Sequence, residues 1–524
     1  MSVVIYRLTL HPLAKYPGPF LAKITDWSIV VKARRGDRHL DSWAEHEAYG
    51  PVVRIGPNTL SFNTSSALAS INSSRSANVQ KGPWYRTIDA GSKAFSVHSE
   101  IDRVRHAFRR RILDQAFSDS ALNQAEEIIL SNVRSWTTEL CSTTESKGWS
   151  PPRNLKNWSD WLAFDMMGDL TFSKSFGAVS EGRNRFVPAV VLESTKFVYE
   201  AGFWPFISLI RPFFGTRFMS WVMSFFLATR AADNESYIKY ANAQMMERMA
   251  AEASATTDKP QRRDLVHYLL HARDPSTGAG LTHDELNADA ALLIHAGSDT
   301  VACTIASTLF YLLHHPRVLG ELQRELRGSF PTLASIHTSA KLNAGFPLLR
   351  ACIDESLRMA PPVPSHLPRQ VLPGGIMIDG HFIPAGTIVG VGAFAIHHDE
   401  TYFPEPFEWR PERWIVETVE DKDKEEQVKV ARGAFYAFGV GPRMCAGRKL
   451  AYLEISLALA VLLWSCEIRL AQEVGTKGLK VEQGRDGRRK QIRSREDVYQ
   501  IWDHFVADRN GPVVQFKLRD EAAI

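Results

Sequence analysis

Apolar residues recur at helical spacing along most of the chain, whereas strand-like segments are few. Spacing near 3.6 residues predicts helices over about 123–141, 157–172, 233–251 and 282–314. Residues 52–55 and 59–62 flank a turn at Gly56-Pro57-Asn58, which predicts a β-hairpin. Further strands are expected within 376–391 and 513–518. The pattern therefore predicts a mainly α-helical fold with a minor β-sheet region.

No internal repeat or low-complexity linker divides the chain. Residues 1–20 are apolar and proline-rich, but their apolar stretch is shorter than the roughly 20 residues that cross a bilayer. We expect them to lead into a single domain over residues 21–524. The aromatic segment 197–227 contains Pro205 and Pro212, which interrupt any continuous helix. Two interpretations of it stay open: a core-facing helix pair, or a surface that contacts a membrane interface.

Composition narrows the class of protein. With 44% hydrophobic and 23% charged residues, the sequence is typical of a large globular enzyme and not of a disordered or polytopic membrane protein. A formal net charge of +4 gives no reason to expect a nucleic acid partner. The five cysteines are widely spaced and include no C-x-x-C pair, a pattern that indicates a reducing, intracellular compartment.

The segment around Cys445 has residue types that suit a buried anionic sulfur. Glycines and Pro442 predict a tight loop whose backbone N–H groups can point at the sulfur, and an apolar helical run over 450–466 follows. Both features favour the thiolate. Arg443 could bind a carboxylate, and Gly447 leaves room for a flat ligand. A small buried cysteine is the simpler interpretation of an isolated thiol, and a zinc site would need further ligands nearby.

The same segment resembles a known signature. Phe438, Gly441, Arg443, Cys445 and Gly447 fill F-x-x-G-x-R-x-C-x-G, which is similar to the haem-binding motif of the cytochromes P450. This resemblance implies haem b, with Cys445 as the axial ligand of its iron. It also implies the fold of that family, with haem between the helix at about 282–314 and the Cys445 loop.

The long helix carries a second match. Thr282 and Glu285 form a predicted capping box, and about 32 helical residues would extend roughly 48 Å. Gly297, Asp299 and Thr300 are unfavourable in mid-helix and predict a local opening of the backbone. A tolerated weak turn is the alternative. The segment resembles the oxygen-activation motif of the family, which implies that Asp299 and Thr300 relay protons.

Charged residues complete the resemblance. Glu355, Arg358 and Arg413 are similar to the structural triad of the family. His106 and Arg110, one helical turn apart, resemble residues that meet the haem propionates, although the family often has Trp where His106 stands. Arg369, before Pro373-Gly374-Gly375, resembles a further propionate ligand.

The resemblance implies a monooxygenase that inserts one oxygen atom from O2 into a lipophilic small molecule, such as an intermediate of specialised metabolism. Electrons would come from NADPH-cytochrome P450 reductase, with cytochrome b5 as a further donor. We expect the reductase to dock at a basic surface formed by Arg109, Arg111, Arg448 and Lys449. The alternative is that these four residues are ordinary solvated charges. Two other functions stay open: a haem-thiolate isomerase or dehydratase that uses no O2, and a non-catalytic haem-binding protein.

The substrate pocket has little local signature. By resemblance, its lining is expected to include Trp84, Tyr85, Ile294, His295, Val363 and Leu367. The resemblance is closest to the microsomal branch of filamentous fungi, which implies attachment to the cytosolic face of the endoplasmic reticulum. A soluble cytosolic enzyme is the alternative, because no full spanning helix is encoded near the start.

Overall fold

A computed structural model shows how these segments pack together. It describes residues 2–90, 92–143, 148–214, 242–252, 263–337, 345–416, 420–471 and 487–519, and the single positions 216, 217, 219, 221, 239 and 254.

Helices dominate the described residues. In chain order they are α1 Ser2–Ile5, α2 Phe20–Ile24, α3 Trp27–Arg35, α4 Arg38–Tyr49, α5 Ser65–Leu68, α6 Arg103–Ala116, α7 Asp119–Cys141, α8 Leu155–Phe172, α9 Val187–Ala201, α10 Ile207–Ile210, α11 Leu265–His271, α12 His283–His314, α13 Pro316–Ser329, α14 Pro347–Met359, α15 Ala393–His397, α16 Lys422–Ala434, α17 Arg448–Ser465 and α18 Gly487–Arg493. Residues 242–252 are also helical. Short 3₁₀ and π turns occur between some of these helices and strands.

The strands form small sheets around this helical body. They are β1 Val52–Gly56, β2 Thr59–Phe62, β3 Val79–Lys81, β4 Arg153–Asn154, β5 Arg369–Val371, β6 Ile376–Ile378, β7 His381–Ile383, β8 Ile388–Val391, β9 Cys466–Leu470, β10 Ile501–His504, β11 Val506–Arg509 and β12 Val513–Leu518. The largest sheet has the order β1-β2-β8-β5-β3, and β2 and β8 are parallel. A second sheet is ordered β4-β12-β9, while β6-β7 and β10-β11 are antiparallel pairs.

The main core surrounds α12, which packs along α8 and also contacts α17 and α14. The capping box is confirmed, because the Thr282 side chain accepts from the Glu285 N–H and the Glu285 carboxylate accepts from the Thr282 N–H. Only α12 among the described helices is long and apolar enough to cross a membrane, and most of it is buried in this core. The predicted hairpin at β1 and β2 and the strand at 513–518 are confirmed.

Three predictions need correction or restriction. The apolar run over 450–466 is not helical to its end, since Cys466 already begins β9 and pairs with Leu518. The local opening in α12 is not seen, because the helix is continuous and the hydroxyls of Ser298 and Thr300 donate to carbonyls four residues earlier. The predicted helix at 233–251 lies partly outside the described residues.

Segment 197–227 is described as far as residue 214 and at a few later positions. Helix α9 ends at Ala201, and a short helix and a 3₁₀ turn follow, so the prolines interrupt the helix as predicted. The side chains of Phe206, Leu209 and Trp221 are at least 60% exposed. The start of the segment faces the core, because Phe197, Tyr199 and Ala201 are buried, whereas the described residues from Phe206 onward include apolar side chains that face outward.

Candidate functional site

The Cys445 loop is a tight turn that ends at the start of α17. Gly439 and Gly441 both have φ of +70°, which L side chains rarely adopt. A Cβ on Gly441 would lie 2.0 Å from the carbonyl oxygen of Asn72. The Cys445 N–H donates to the Phe438 carbonyl at 2.9 Å and closes the turn. Backbone conformation and packing therefore both require glycine at position 441.

The Cys445 side chain lies at an accessible position among closely packed protein atoms. It is solvent-accessible, yet protein atoms surround the sulfur closely enough that burial raises the pKa of the thiol. The Gly447 N–H donates to the sulfur, and the charges of Arg110 and Arg448 also favour the thiolate over the thiol. An accessible sulfur with an N–H donor and two cations nearby is suited to bind a metal ion as thiolate.

A group of positively charged and imidazole side chains lies near this loop. It contains Arg369 and Arg443, which the sequence predicted, and Lys81, which it did not; we call these residues with His106 the cationic cluster. Burial and neighbouring positive charge lower the pKa of His106 to about 2 and that of Arg443 to about 10. Burial, Arg443 and Arg369 hold the pKa of Lys81 well below its ordinary value.

Neutral oxygens hold the three cations of the cluster. Arg443 donates to the carbonyls of Glu100 and Ile101, at 3.1 and 3.3 Å. Lys81 donates to two carbonyls of the neighbouring loop, and Arg369 donates to the Tyr85 hydroxyl at 3.1 Å. Among the described residues, none of the three forms an ion pair with a carboxylate. The cluster therefore has a surplus of buried positive charge and suits an anionic ligand.

Arg110 forms a direct hydrogen bond to the Cys445 loop. Its guanidinium donates to Asp114 at 2.6 Å and to the Met444 carbonyl, the residue before Cys445. His106 lies one turn earlier on α6 and is buried. Arg110 thus contacts the Cys445 loop, whereas His106 belongs to the cationic cluster.

One face of α12 is accessible in the middle of an otherwise buried helix. Ala296 is exposed and Thr300, one turn later, is half-buried. The Thr300 hydroxyl donates to the Ala296 carbonyl at 2.8 Å. These two positions are therefore accessible in the middle of the longest described helix.

Asp299 lies beside Thr300 in sequence but faces a different environment. It is buried, and its Oδ2 has no hydrogen-bond partner among the described residues. Burial and the Asp160 carboxylate raise its pKa to about 7, while Arg509 opposes them. Arg509 is itself paired with Asp160, which also contacts Lys156 at 3.0 Å. Asp299 can therefore exchange a proton near neutral pH.

The predicted triad comes together with short contacts in the core. Arg358 donates two hydrogen bonds of 2.9 Å to the Glu355 carboxylate, and Arg413 donates a third of 2.9 Å. Trp414 and the backbone N–H of Arg410 also donate to Glu355. Although burial opposes it, the positive charge of Arg358 and its hydrogen bonds hold the pKa of Glu355 below its ordinary value. Both arginines of the triad contact the Glu355 carboxylate directly, so neither cation is left without a carboxylate partner for a ligand to supply.

The six predicted pocket residues do not all lie together. Trp84, Val363 and Leu367 line one small cavity, with Phe203 and Phe505. Tyr85 is buried and accepts a hydrogen bond from Arg369, so it belongs beside the cationic cluster. Ile294 is fully buried, and His295 lies 3.2 Å from the Thr195 hydroxyl.

The four arginines and lysines expected at a basic surface also separate. Arg109 is buried and pairs with Asp289 at 2.6 Å, so its assignment to a surface was wrong. Burial forces this arginine to pair with carboxylates of α12. Arg111 contacts Asp274 at 2.5 Å. Arg448 and Lys449 are exposed directly after the Cys445 loop, and Lys449 also contacts Asp119.

Sequence reasoning missed Lys81, Asp160 and Arg509. Lys81 reaches the cluster because β3 pairs with β5 and places it opposite Arg369. Asp160 and Arg509 are separated by 349 positions and meet only because β11 packs against α12 and α8 lies alongside. No signal within a few residues marks these three, because each depends on long-range pairing.

The chain is similar to known proteins along nearly its whole length. The sequence profile described as Cytochrome P450 matches residues 18–482. The chain is 37% identical to cytochrome P450 monooxygenase fscF of Fusarium equiseti, over 99% of this chain and 94% of that protein. It is 32% identical to the trichothecene C-15 hydroxylase of Fusarium sporotrichioides, over 90% of each. The crystal structure of the cytochrome P450DA heme domain matches 92% of both chains with a TM-score of 0.69 at 17% identity.

Proposed function

The chain belongs to the cytochrome P450 family and is a monooxygenase of that family, and on this premise we propose that it hydroxylates a lipophilic small molecule with electrons from NADPH. Members of the family use haem, O2 and a redox partner. Residues 21–524 would form a single catalytic domain, with residues 1–20 as its lead-in.

The observation that carries the proposal is the accessible Cys445 sulfur beside a buried cationic cluster that lacks carboxylate partners. Haem b fits both features, because it brings an iron for the thiolate and two propionates for the cations. Cys445 would hold the iron, while Arg369, Arg443 and His106 would hold the propionates. Phe438, Gly441 and Gly447 would shape the loop. When bound, thiolate-ligated haem supplies the activation of O2 that oxidises a C–H bond.

Asp299 and Thr300 would manage protons on the distal side. Thr300 presents its hydroxyl on the accessible face of α12, and Asp299 has a pKa of about 7 in a buried charge cluster. An acid that titrates near neutral pH can accept and release protons, and the Asp299 side chain would have to turn from Asp160 and Arg509 to pass one toward Thr300. An isomerase or dehydratase that uses no O2 would not need this pair.

We assign electron delivery to NADPH-cytochrome P450 reductase, with cytochrome b5 as an additional donor. Arg448 and Lys449 are exposed immediately beyond Cys445, so an acidic partner that docks there would be close to the haem. Charge reversal at Arg448 and Lys449 should raise the KM for reductase and make turnover less sensitive to ionic strength. An unchanged KM would reject this docking surface.

The substrate is proposed to be an intermediate of specialised metabolism. The cavity that three predicted pocket residues share is lined by apolar and aromatic side chains such as Trp84, Leu367 and Phe505, together with polar groups that include Arg38 and Asp503. The name of the Fusarium sporotrichioides relative, which hydroxylates carbon 15 of trichothecenes, supports hydroxylation as the reaction class.

Membrane association would involve the exposed apolar side chains of segment 197–227. Phe206 precedes the short helix Ile207–Ile210 and Leu209 lies in it, and both side chains are accessible. We propose attachment to the cytosolic face of the endoplasmic reticulum. Replacing both residues by Asp should reduce binding to neutral phospholipid vesicles, whereas equal binding of the variant would favour the soluble alternative.

The test of the whole proposal is spectroscopic and then catalytic. Reduced protein under carbon monoxide should give a Soret band strongly red-shifted from that of histidine-ligated haem, and Cys445→Ser should lose that shift. NADPH consumption should then require both reductase and substrate, with one atom of ¹⁸O2 in the product. A native protein without haem, or with an unshifted band, would reject the assignment; haem without O2 incorporation would favour an isomerase or a binding protein.

A further inference from the structure

Two histidines of α11 and one glutamate from the preceding helical segment form a compact cluster away from the Cys445 loop. His267 Nδ1 lies 2.9 Å and His271 Nε2 lies 3.0 Å from the same oxygen, Oε1 of Glu252. All three ligand atoms are within 4.8 Å of one another. We propose that Glu252, His267 and His271 bind one divalent transition-metal ion, with Zn²⁺ as the expected occupant.

The helix geometry suits a shared ion. His267 and His271 are four residues apart, so their rings lie on the same face of α11, with ring centroids 4.5 Å apart. Around a tetrahedral zinc ion with ligands at about 2.0–2.1 Å, ligand atoms are roughly 3.4 Å apart. The observed distances of 2.9 and 3.0 Å are close to this, so small side-chain movements would admit the ion.

The ligand types determine which ions are suitable. Two imidazoles and one carboxylate favour zinc and other late transition metals over Mg²⁺ and Ca²⁺, which prefer sets made only of oxygen. Three protein ligands leave a fourth position for water. Although burial opposes it, hydrogen bonds from His271, Arg248 and His267 lower the pKa of Glu252 to about 2, so the carboxylate is ionised.

Surrounding contacts hold the three ligands in place without neutralising them. Asp264 caps α11 by accepting from the His267 N–H at 2.7 Å, and it also pairs with Arg248. Arg248 contacts Glu252 Oε2 at 2.7 Å, the oxygen that does not face the histidines. Glu252 and Asp264 together carry two negative charges, and Arg248 carries one positive charge. The cluster therefore keeps a net negative charge when both histidines are neutral. Such outer contacts orient ligands in metal sites.

The experiment uses the full-length haem-loaded protein after dialysis against a chelator. Isothermal titration with ZnCl2 and elemental analysis should show one zinc ion per chain, and zinc should raise the Tm. His271→Ala and Glu252→Gln should each weaken zinc binding by about tenfold or more. Excess Mg²⁺ should not displace the ion.

His283→Ala is the matched control, because His283 is also exposed on a helix but lies outside the cluster. This variant should bind zinc like the wild type. The carbon monoxide spectrum and circular dichroism of every variant should match the wild type, which separates zinc binding from haem loading and folding. If the wild type binds no zinc, or if His271→Ala and Glu252→Gln bind it with unchanged affinity and stoichiometry, the proposed site is wrong.

Discussion

Two buried groups of charged residues in this protein differ in how their charges are compensated. In the triad, the Glu355 carboxylate receives three hydrogen bonds from Arg358 and Arg413, and neighbouring donors complete its shell. In the cationic cluster, the hydrogen bonds of Lys81, Arg369 and Arg443 go only to neutral oxygens among the described residues, and the nearby Glu100 carboxylate forms no ion pair with them. The first group is complete within the protein, whereas the second suits a ligand that brings negative charge.

The difference separates a structural role from a binding role without reference to the motif. A complete ion-pair network holds α14 against the 3₁₀ turn Pro411–Trp414. A surplus of buried cations costs folding free energy until an anion binds, so it persists only where binding recovers that cost. Asp299 lies between these extremes, since Arg509 is near but is already paired with Asp160.

The largest effect is expected at the complete network. Glu355→Ala removes the only carboxylate of the triad and leaves two buried arginines unpaired, which should cost about 3–5 kcal/mol of unfolding free energy. Denaturant titration, together with the yield of protein showing the thiolate spectrum, measures this loss. The control is Glu405→Ala, which removes an exposed ion pair with Arg410 and should cost about 0–1 kcal/mol. Similar losses in the two variants would contradict the comparison.

The second effect concerns Asp299 and has a defined pH dependence. The pKa of this acid rises from 3.8 to about 7 on folding, so the folded state binds more protons and its stability falls as pH rises through this range. Asp299→Asn is always neutral, so the variant should be more stable than the wild type by about 1–3 kcal/mol near pH 8, and by less near pH 5. Turnover should decrease if Asp299 relays protons.

Thermal unfolding of wild type and Asp299→Asn at both pH values measures this difference, and Asp284→Asn is the matched control. Asp284 is exposed on the first turn of the same helix and should show no such pH dependence. A stability difference that does not change between the two pH values would show that Asp299 does not titrate there.

The sequence predicted those parts of the fold and site that short segments determine. The capping box at Thr282 and the β1-β2 turn depend on residues within a few positions of each other, and both are confirmed. The Cys445 loop is equally local, because its glycines and the following helix lie in one short stretch. Such features can be inferred from one sequence because their physical causes are contained in it.

Long-range pairing limited the remaining predictions. Cys466 continues an apolar run, yet pairing with β12 makes it a strand residue. Arg109 reads as one of three adjacent arginines, yet only it turns inward to Asp289. Lys81 has no local signature and enters the cluster through its register opposite Arg369. In each case the decisive contact is with a residue far away in sequence.

The smallest effect directly tests whether the cationic cluster awaits an anion. Lys81→Met keeps the length of the side chain but removes one of the buried cations, so the haem-free chain should become more stable. Haem should leave the variant faster, with affinity reduced about tenfold if Lys81 helps to bind a propionate, because one charge-assisted contact contributes on the order of 1–2 kcal/mol. Haem transfer to an acceptor globin measures haem retention, and denaturation of the haem-free protein measures its stability.

Lys449→Met, on the exposed surface, should change neither haem retention nor the stability of the haem-free protein. Surplus positive charge predicts that Lys81→Met weakens haem retention and stabilises the haem-free fold. If Lys81 only stabilised the loop around Val97, its replacement would weaken both haem retention and the haem-free fold.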